Sequence, residues 1–363
     1  MGGQRLLIPI LRRLLATTTA LLTLTALAAC PPAQAAGRTG TAGTSLTLDG
    51  SPWWPIGMNA YQLGTDWNVN AGCGAQVNLD DYFSRLPPHT VTRFDVYSSM
   101  ALDKNTGALN FSALDAVFDA AARHGQLLVG VLSGHDGDCR GDATKVYSWY
   151  AGGWRDQVSP GSPMSFGSWL DTAVARWSGS PALAGWTAVG EPEPSTCGSA
   201  DCAWTDRGCP ADAAQVLRTF FDDTGARIRA ADPDAVIWSG LAGGGQCGSA
   251  GADYADVAAS RGIDVLEYHD YSPGTDLSDG LHERIEQAHG AGKPLVVAEI
   301  GLPSGSCLLT LDKRRDLLAQ AISAARADGA AGALFWSFVP DPRPDQCTLD
   351  VGPDDPLFGL LTG

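Results

Sequence analysis

The sequence predicts a (β/α)8 barrel, and three observations carry that prediction. Eight short apolar runs recur along the chain after Leu46, at intervals of about 25 to 50 residues. Amphipathic helical patterns lie between several of them, and this alternation indicates a parallel sheet covered by helices. Long loops follow the first, third and fourth runs, on the side where barrels carry their functional loops. Eight units favour a closed barrel, although a doubly wound sheet shares the alternation.

The predicted elements follow from apolar periodicity. The strand candidates are residues 55–60, 90–97, 127–133, 184–189, 235–240, 265–271, 295–300 and 333–339. The helical patterns are residues 111–124, 166–177, 211–230, 281–289 and 311–327. In the first helical pattern Leu114, Val117, Phe118 and Ala121 share one face. A single barrel domain is expected to span residues 46–363.

Residues 1–30 are interpreted as an export signal. Arg5, Arg12 and Arg13 precede an apolar run that ends in small residues, the layout of a signal peptide rather than of a permanent membrane helix. Leu-Ala-Ala-Cys at 27–30 resembles a bacterial lipobox, which would place a lipid on Cys30, whereas Ala-Gln-Ala at 33–35 fits ordinary signal peptidase. The predicted location is therefore outside the cell, either free or lipid-anchored on the outer face of the membrane.

Residues 31–45 are predicted to be a flexible spacer. They are rich in Ala, Gly, Pro and Thr and show no apolar periodicity.

The cysteine count predicts disulfides. Nine cysteines become eight without Cys30, and an even set in an exported protein indicates a disulfide framework whose connectivity stays open. A zinc site built from Cys197, Cys202, Cys209 and Cys247 is the alternative, but their spacing lacks paired C-x2-C motifs.

The charge balance narrows the class of partner. The net charge is -16, and no basic run follows the amino-terminal segment, which argues against nucleic acid and anionic membranes as partners. A neutral oligosaccharide or polysaccharide is compatible with this charge, and the chain is expected to be a monomer.

Polar side chains cluster where the predicted strands end, and the packing of an apolar core does not require them there. They are Arg93, His135, Glu191, His269, Tyr271, Glu299 and Trp336. Because the carboxyl ends of barrel strands meet at one face, Glu191 and Glu299 should reach a single site. The long loops add aromatic rings, which stack on sugars as well as filling cores. These loop aromatics are Trp67, Trp149, Tyr150, Trp154 and Trp204.

Four of these positions resemble the motifs of glycoside hydrolase family 5 and its relatives among the clan A barrels, which include cellulases and mannanases. The motifs are Gly190-Glu191-Pro192, His269-Asp270-Tyr271, Glu299-Ile300-Gly301 and Trp336, in the family's order on strands four, six, seven and eight. The resemblance covers about residues 46–361. It implies a retaining hydrolase of β-glucan or β-mannan type that needs no cofactor or metal.

The resemblance also implies roles for the residues. Glu299 would be the nucleophile, kept ionised by Arg93 and Tyr271, and Glu191 would be the general acid/base. The pKa of Glu191 is expected to be raised by the neighbouring negative charge and by partial burial, with His269 nearby. By the same resemblance His269, Tyr271 and Trp336 would line the site. Arg93 and His135, which follow from their places near strand ends, are also expected to bind substrate.

Gly190 departs from the family pattern, in which an Asn at this position hydrogen-bonds the sugar 2-hydroxyl. Gly190 is the one hint of a second function, a catalytically silent barrel that binds carbohydrate at the cell surface. A transglycosylase, which passes the same covalent intermediate to another sugar, also stays open because the sequence does not separate it from a hydrolase.

Overall fold

A computed structural model of the chain describes residues 1–2, 38–139, 144–198, 202–272, 279–307 and 309–361. The chain divides into two units, Met1–Pro32 and Ala33–Gly363, and all the elements below belong to the second. The predicted signal, its lipobox and Cys30 lie outside the described residues.

Eight parallel strands form the barrel, and each falls within one of the predicted apolar runs or within one residue of it. They are β1 Ile56–Asn59, β2 Val91–Asp95, β3 Leu127–Val131, β4 Leu183–Thr187, β5 Ile237–Trp238, β6 Leu266–Asp270, β7 Leu295–Ile300 and β8 Ala333–Phe335. Hydrogen bonds join them in the order β5-β4-β3-β2-β1-β8-β7-β6. A parallel bridge from Trp238 to Val265 joins the two ends of this order. The sheet is therefore a closed barrel, and the doubly wound alternative is wrong.

Helices surround the strands. They are α1 Leu79–Ser84, α2 Ser112–Arg123, α3 Tyr147–Ala151, α4 Phe166–Trp177, α5 Ala213–Ala231, α6 Asp253–Ala258, α7 Asp279–Gly290 and α8 Leu311–Asp328. The five predicted helical patterns match α2, α4, α5, α7 and α8 within two residues at each end. Among the described residues, no helix has the length and apolar character needed to cross a bilayer.

A small antiparallel sheet closes the amino-terminal end of the barrel. Its strands are Thr39–Ala42, Ser45–Leu48 and Ser51–Trp53. Leu46, only 1% exposed, packs among aliphatic side chains from the first residues of the barrel strands. The Thr39 hydroxyl donates to the Ala184 carbonyl oxygen at 2.6 Å. Residues 39–45 of the predicted spacer therefore belong to this sheet, because packing on the barrel overrides a composition typical of a flexible segment.

Four disulfides connect the loops at the opposite, carboxyl-terminal face, as the even cysteine count predicts. They are Cys73–Cys139, Cys197–Cys202, Cys209–Cys247 and Cys307–Cys347. Three of them join the loops of different strands: β1 to β3, β4 to β5, and β7 to β8. The zinc alternative is wrong, because its four cysteines are paired in two of these bonds.

The loop aromatics divide into two groups. Trp149, Tyr150 and Trp154 are buried and pack against helix α5, so of the two possible roles these three rings fill the core. The loop after β3 folds into α3 and a further short turn, and both pack into the main hydrophobic core. Trp67 is 55% exposed, and the side chain of Trp204 lies outside the described part of the chain.

Candidate active site

A cleft of about 340 Å³ opens at the carboxyl-terminal ends of the barrel strands. Its walls include Asn59, Tyr61, Arg93, Asp95, His135, Gly190, Glu191, Tyr271, Glu299 and Trp336. Of the seven residues that the sequence singled out, six line the cleft directly. The seventh, His269, contacts Glu191 and Glu299 from within the barrel wall.

Glu299 lies on β7 and is 5% exposed. Arg93 Nη1 donates to its Oε1 at 2.8 Å, and the Tyr271 hydroxyl donates to its Oε2. Both carboxylate oxygens are therefore held by donors from other strands. This arrangement fixes the orientation of the carboxylate toward the cleft.

Arg93 is supported by two further acceptors beneath the cleft. Its Nη1 also contacts Asn59 Oδ1 at 3.2 Å, and its Nε lies 3.4 Å from Glu267 Oε2. Burial disfavours the charged guanidinium, but the carboxylates of Glu267 and Glu299 outweigh that effect and raise the pKa of Arg93. The side chain therefore stays charged beside Glu299.

Glu267 is fully buried on β6 and was not identified from the sequence. The Gly240 amide donates to its Oε1 at 2.6 Å, and its Oε2 lies 3.8 Å from His269 Nε2. Burial opposes its ionisation, but Arg93 and His269 outweigh that effect and lower the pKa of Glu267. It is a third carboxylate below the site and offsets the charge of two cations.

Glu191 follows β4 with a backbone φ of 54°, a left-handed conformation that is uncommon for a residue with a side chain and is typical of functional sites. Its amide donates to the Gly240 carbonyl oxygen at 2.8 Å. The side chain is 47% exposed, so it projects into the cleft from the strand end.

His269 lies between the two glutamates. Its Nδ1 is 2.7 Å from Glu191 Oε1 and 3.4 Å from Glu299 Oε2. Burial disfavours the charged imidazole, but the charge of Glu299 and the hydrogen bonds with Glu191 and Glu267 outweigh it and raise the pKa of His269 to about 9. The imidazole is therefore protonated near neutral pH.

The pKa of Glu191 differs from the expectation. Burial acts to raise it, but the hydrogen bond and positive charge of His269 outweigh burial, so the pKa of Glu191 is lowered. The expected rise considered only the negative charge of Glu299, whereas the protonated His269 lies between the two carboxyl groups and has the opposite effect on the pKa of Glu191. Glu191 and His269 share one proton, which rests on the imidazole in the free protein.

The two carboxyl groups approach each other closely enough to act as a retaining pair. One oxygen of Glu191, one of Glu299 and a ring nitrogen of His269 all lie within 4.8 Å of one another. Retaining glycosidases place their carboxyl groups about 5 Å apart, whereas inverting enzymes need roughly 6.5 to 9.5 Å to admit a water molecule. The same three atoms have the spacing of metal ligands, but protonation of the imidazole makes it a poor ligand.

Glu193, a second carboxyl group two residues after Glu191, contacts other partners. It is 3% exposed, its Oε2 accepts from Arg207 Nη1 at 2.7 Å and its Oε1 accepts from the Cys247 amide at 3.1 Å. Its Oε2 also lies 3.6 Å from His135 Nε2. These contacts connect the loops around the cleft, and of these two glutamates Glu191 is the one that lines the cleft.

His135 lines the cleft and is 4% exposed. Its Nδ1 lies 3.1 Å from the Tyr150 hydroxyl. Burial is the main cause that lowers the pKa of His135 to about 4, so the ring is neutral. A neutral ring at this wall can contact a sugar hydroxyl without adding charge.

Trp336 forms an aromatic wall after β8. Tyr61 stacks on it with ring centroids 5.7 Å apart and 13° between the planes, and Tyr271 meets it edge-on at 6.4 Å. These rings give the cleft an apolar surface beside Glu299, which suits the apolar face of a sugar.

Sequence reasoning missed several cleft residues, although a signal existed for some. Asn59 ends β1 and Asp95 ends β2, so both satisfy the strand-end rule that found Arg93 and Glu299. Asp95 is 9% exposed, and burial raises its pKa to about 8 despite the nearby charge of Arg93. Glu267 does not satisfy the strand-end rule, because it is the second residue of β6 and the motif His269-Asp270-Tyr271 lies at the other end of that strand.

Comparisons with known proteins agree with this geometry. No family model matches the chain. It is 26% identical over 342 residues to a probable mannan endo-1,4-beta-mannosidase A of Aspergillus clavatus, covering 88% of this chain and 87% of that protein. It is 24% identical over 342 residues to mannan endo-1,4-beta-mannosidase A of Podospora anserina, covering 85% of each. The solved endo-1,4-beta-mannanase of Rhizomucor miehei matches 90% of this chain and 97% of its own, with a TM-score of 0.65 at 17% identity.

The chain is a glycoside hydrolase, and its fold is similar to that of a solved family 5 mannosidase of Rhizomucor miehei. It is a retaining enzyme that cleaves β-linked glycans. The four disulfides are typical of proteins that work outside the reducing cytoplasm, and the hydrolase is extracellular. The predicted resemblance to family 5, the fold class and the reaction type are thereby confirmed.

Proposed function

We propose that this hydrolase is an endo-acting β-1,4-mannanase in which Glu299 is the nucleophile and Glu191 the general acid/base. The observation that carries the assignment is the pair of carboxyl groups within 4.8 Å of each other at the carboxyl ends of β4 and β7. Glu299 is held by two donors, whereas Glu191 reaches into the cleft and contacts a protonated histidine. The two environments suit two different tasks.

In the first step, a carboxylate oxygen of Glu299 attacks the anomeric carbon, and the bond from that carbon to the glycosidic oxygen breaks. The leaving oxygen takes a proton from Glu191, and the sugar becomes an ester of Glu299. Arg93 and Tyr271 orient the attacking carboxylate through their hydrogen bonds. Trp336 supports the sugar ring as it flattens in the transition state.

In the second step, a water molecule attacks the same carbon. Glu191 takes a proton from that water, the ester bond to Glu299 breaks, and the sugar is released with its original configuration. Two inversions at one carbon give net retention. If another sugar hydroxyl replaces water, the same step is a transglycosylation.

His269 supplies the proton that Glu191 needs. The proton resides on the imidazole in the free enzyme, 2.7 Å from Glu191 Oε1. As the glycosidic oxygen approaches and its bond begins to break, that oxygen becomes more basic and draws the proton through Glu191. The pair therefore acts as one acid with one proton.

The mannan assignment rests on the relatives. The proteins that match most of this chain are described as mannan endo-1,4-beta-mannosidases, and structural neighbours are described as endo-β-1,4-mannanases. An open cleft at a barrel end is compatible with internal cleavage of a long chain.

A panel of linear β-1,4-mannan, β-1,4-glucan and β-1,4-xylan tests the proposal, with Glu299→Gln as the matched inactive control. We expect new reducing ends from mannan, and early products that are oligosaccharides rather than mannose. Mass spectrometry of the products identifies transglycosylation as chains longer than the substrate. Release of reducing ends from glucan or xylan without any from mannan would contradict the proposed substrate.

We also propose that the hydrolase is exported through the signal predicted at residues 1–30 and carries lipid on Cys30. The support is the Leu-Ala-Ala-Cys sequence at 27–30. Mass spectrometry of the native amino terminus tests this. A chain that begins at Ala36 or Gly37 contradicts the lipid anchor and indicates free secretion.

A further inference from the structure

We propose that Arg93 binds the 2-hydroxyl of the sugar at the point of cleavage through its Nη2, a buried donor beside Gly190 that has no hydrogen-bond partner among the described residues. This inference rests on the proposed function and adds a specificity-determining contact to the same site. It also accounts for how a retaining enzyme can work without a side chain at position 190.

The donors of Arg93 are used unequally. Nη1 contacts Glu299 Oε1 at 2.8 Å and Asn59 Oδ1 at 3.2 Å, and Nε faces Glu267 Oε2 at 3.4 Å. Nη2 is buried and has no hydrogen-bond partner among the described residues. A buried donor without an acceptor destabilises the folded state. Substrate is the acceptor that reaches this wall of the cleft.

Gly190 lies beside Nη2 and has no side chain that could accept its hydrogen bond. A Cβ at this position would lie 3.6 Å from Arg93 Nη2 and 3.4 Å from Val131 Cγ1, which are ordinary van der Waals contacts. A side chain would therefore fit and would contact Nη2. Gly190 and Arg93 are both among the walls of the cleft.

The reaction geometry brings the 2-hydroxyl to this donor. The anomeric carbon must approach a Glu299 oxygen, and the carbon that bears the 2-hydroxyl is directly bonded to it. Nη1 and Nη2 belong to one planar guanidinium group, so Nη2 lies beside the carboxylate that Nη1 orients. Hydrogen bonds to the 2-hydroxyl strengthen in the glycosidase transition state, and a charged donor makes a strong one.

The experiment compares two substrates across three enzymes. The substrates are dinitrophenyl β-mannobioside and its analogue without the 2-hydroxyl on the sugar beside the leaving group. The enzymes are the wild type, Arg93→Lys and Tyr271→Phe. The measured quantity is the ratio of kcat/KM for the β-mannobioside to kcat/KM for its analogue without the 2-hydroxyl. The deoxy sugar is intrinsically more reactive, but that effect is common to all three enzymes and cancels when their ratios are compared.

Arg93→Lys keeps a positive charge near Glu299 but has no second donor arm, so the ratio should fall by about 100-fold relative to the wild type. Tyr271→Phe also removes a donor to Glu299 but leaves Nη2 in place. It should slow both substrates equally and keep the ratio within about threefold of the wild type. An Arg93→Lys ratio equal to that of the wild type would overturn the inference.

Two safeguards keep the outcomes distinct. If Arg93→Lys does not fold, Gly190→Val gives the same test, because its methyl groups cover Nη2 while Arg93 remains. A reduced ratio then supports the contact, and an unchanged ratio overturns it. If the wild type does not turn over the β-mannobioside, the proposed substrate fails, and the same ratios are measured on the dinitrophenyl β-cellobioside pair.

Discussion

The amino-terminal end of the barrel interior is filled with aliphatic side chains, whereas the carboxyl-terminal end holds three carboxylates, an arginine and a histidine in mutual contact. At the first end, Leu46 of the small sheet packs among residues such as Val129 and Val296. At the second, Arg93 and His269 carry the positive charge that balances the glutamates. One set of strands therefore provides stability at one end and chemistry at the other.

The difference teaches that charge is tolerated in this barrel only where it is paired. Glu267 is fully buried, yet its carboxylate has a backbone donor at 2.6 Å and two cationic neighbours. Isolated buried charges are costly, and paired and hydrogen-bonded ones are acceptable. Changes at the two ends should accordingly alter different measurable properties.

The largest expected effect is at the nucleophile. Glu299→Ala should lower turnover of all β-glycosides by at least about 10⁴-fold, because no group remains to form the covalent intermediate. Added azide should restore some turnover with inversion, which NMR of the glycosyl azide detects. Substantial activity without azide would contradict the assignment.

The next effect concerns the acid/base. Glu191→Ala should lower hydrolysis of mannan by roughly 10² to 10⁴-fold. With a dinitrophenyl leaving group, formation of the glycosyl-enzyme should persist and its breakdown should slow, which appears as a burst of dinitrophenol. Azide should then give a product of retained configuration. Glu193→Ala is the matched comparison, and a burst with that variant instead would reassign the acid/base.

The shared proton predicts a pH effect of moderate size. Because the pKa of His269 is raised to about 9, the Glu191–His269 pair keeps its proton at neutral pH and loses it as pH rises through that value. The kcat/KM for mannan oligosaccharides should then fall by about tenfold per pH unit above 9. An alkaline limb centred near 6.5, the ordinary value for histidine, would show that the carboxylates do not hold the proton.

The amino-terminal end should show the smallest effect on catalysis. Leu46→Ala removes a side chain that is 1% exposed, so it should lower the free energy of unfolding by about 2 to 5 kcal/mol. The kcat at a temperature where the variant is folded should not change. Leu109→Ala, at a position 45% exposed, is the control and should alter neither quantity. A lower kcat for Leu46→Ala would mean that the two ends are coupled.

Much of the fold was predictable because barrel strands are buried on both faces and appear as continuous apolar runs. The small amino-terminal sheet was not, since Thr39–Ala42 has a composition typical of a flexible segment and is ordered by packing on the barrel. The three short helices α1, α3 and α6 span too few residues to show a clear period. Disulfide pairing depends on which loops approach each other, and spacing along the chain does not reveal that.

The site was predictable where a polar residue ends a strand, as with Glu191 and Glu299. What the sequence did not reveal was the network beneath them. Glu267 supports Arg93 and His269 from inside a strand, and the protonated His269 reverses the expected direction of the Glu191 pKa shift. The pKa values in this network depend on the distances between charged side chains on different strands, and the sequence does not reveal those distances.

The most direct test of the central claim is to trap the covalent intermediate. The wild-type enzyme is treated with a 2-deoxy-2-fluoro-β-mannosyl fluoride, and the labelled peptide is identified by mass spectrometry while NMR follows the configuration of the first product from mannan. We predict a single label on Glu299 and a product of retained configuration. A label on Glu191 or Glu193, or a product of inverted configuration, would contradict the division of work between the two glutamates.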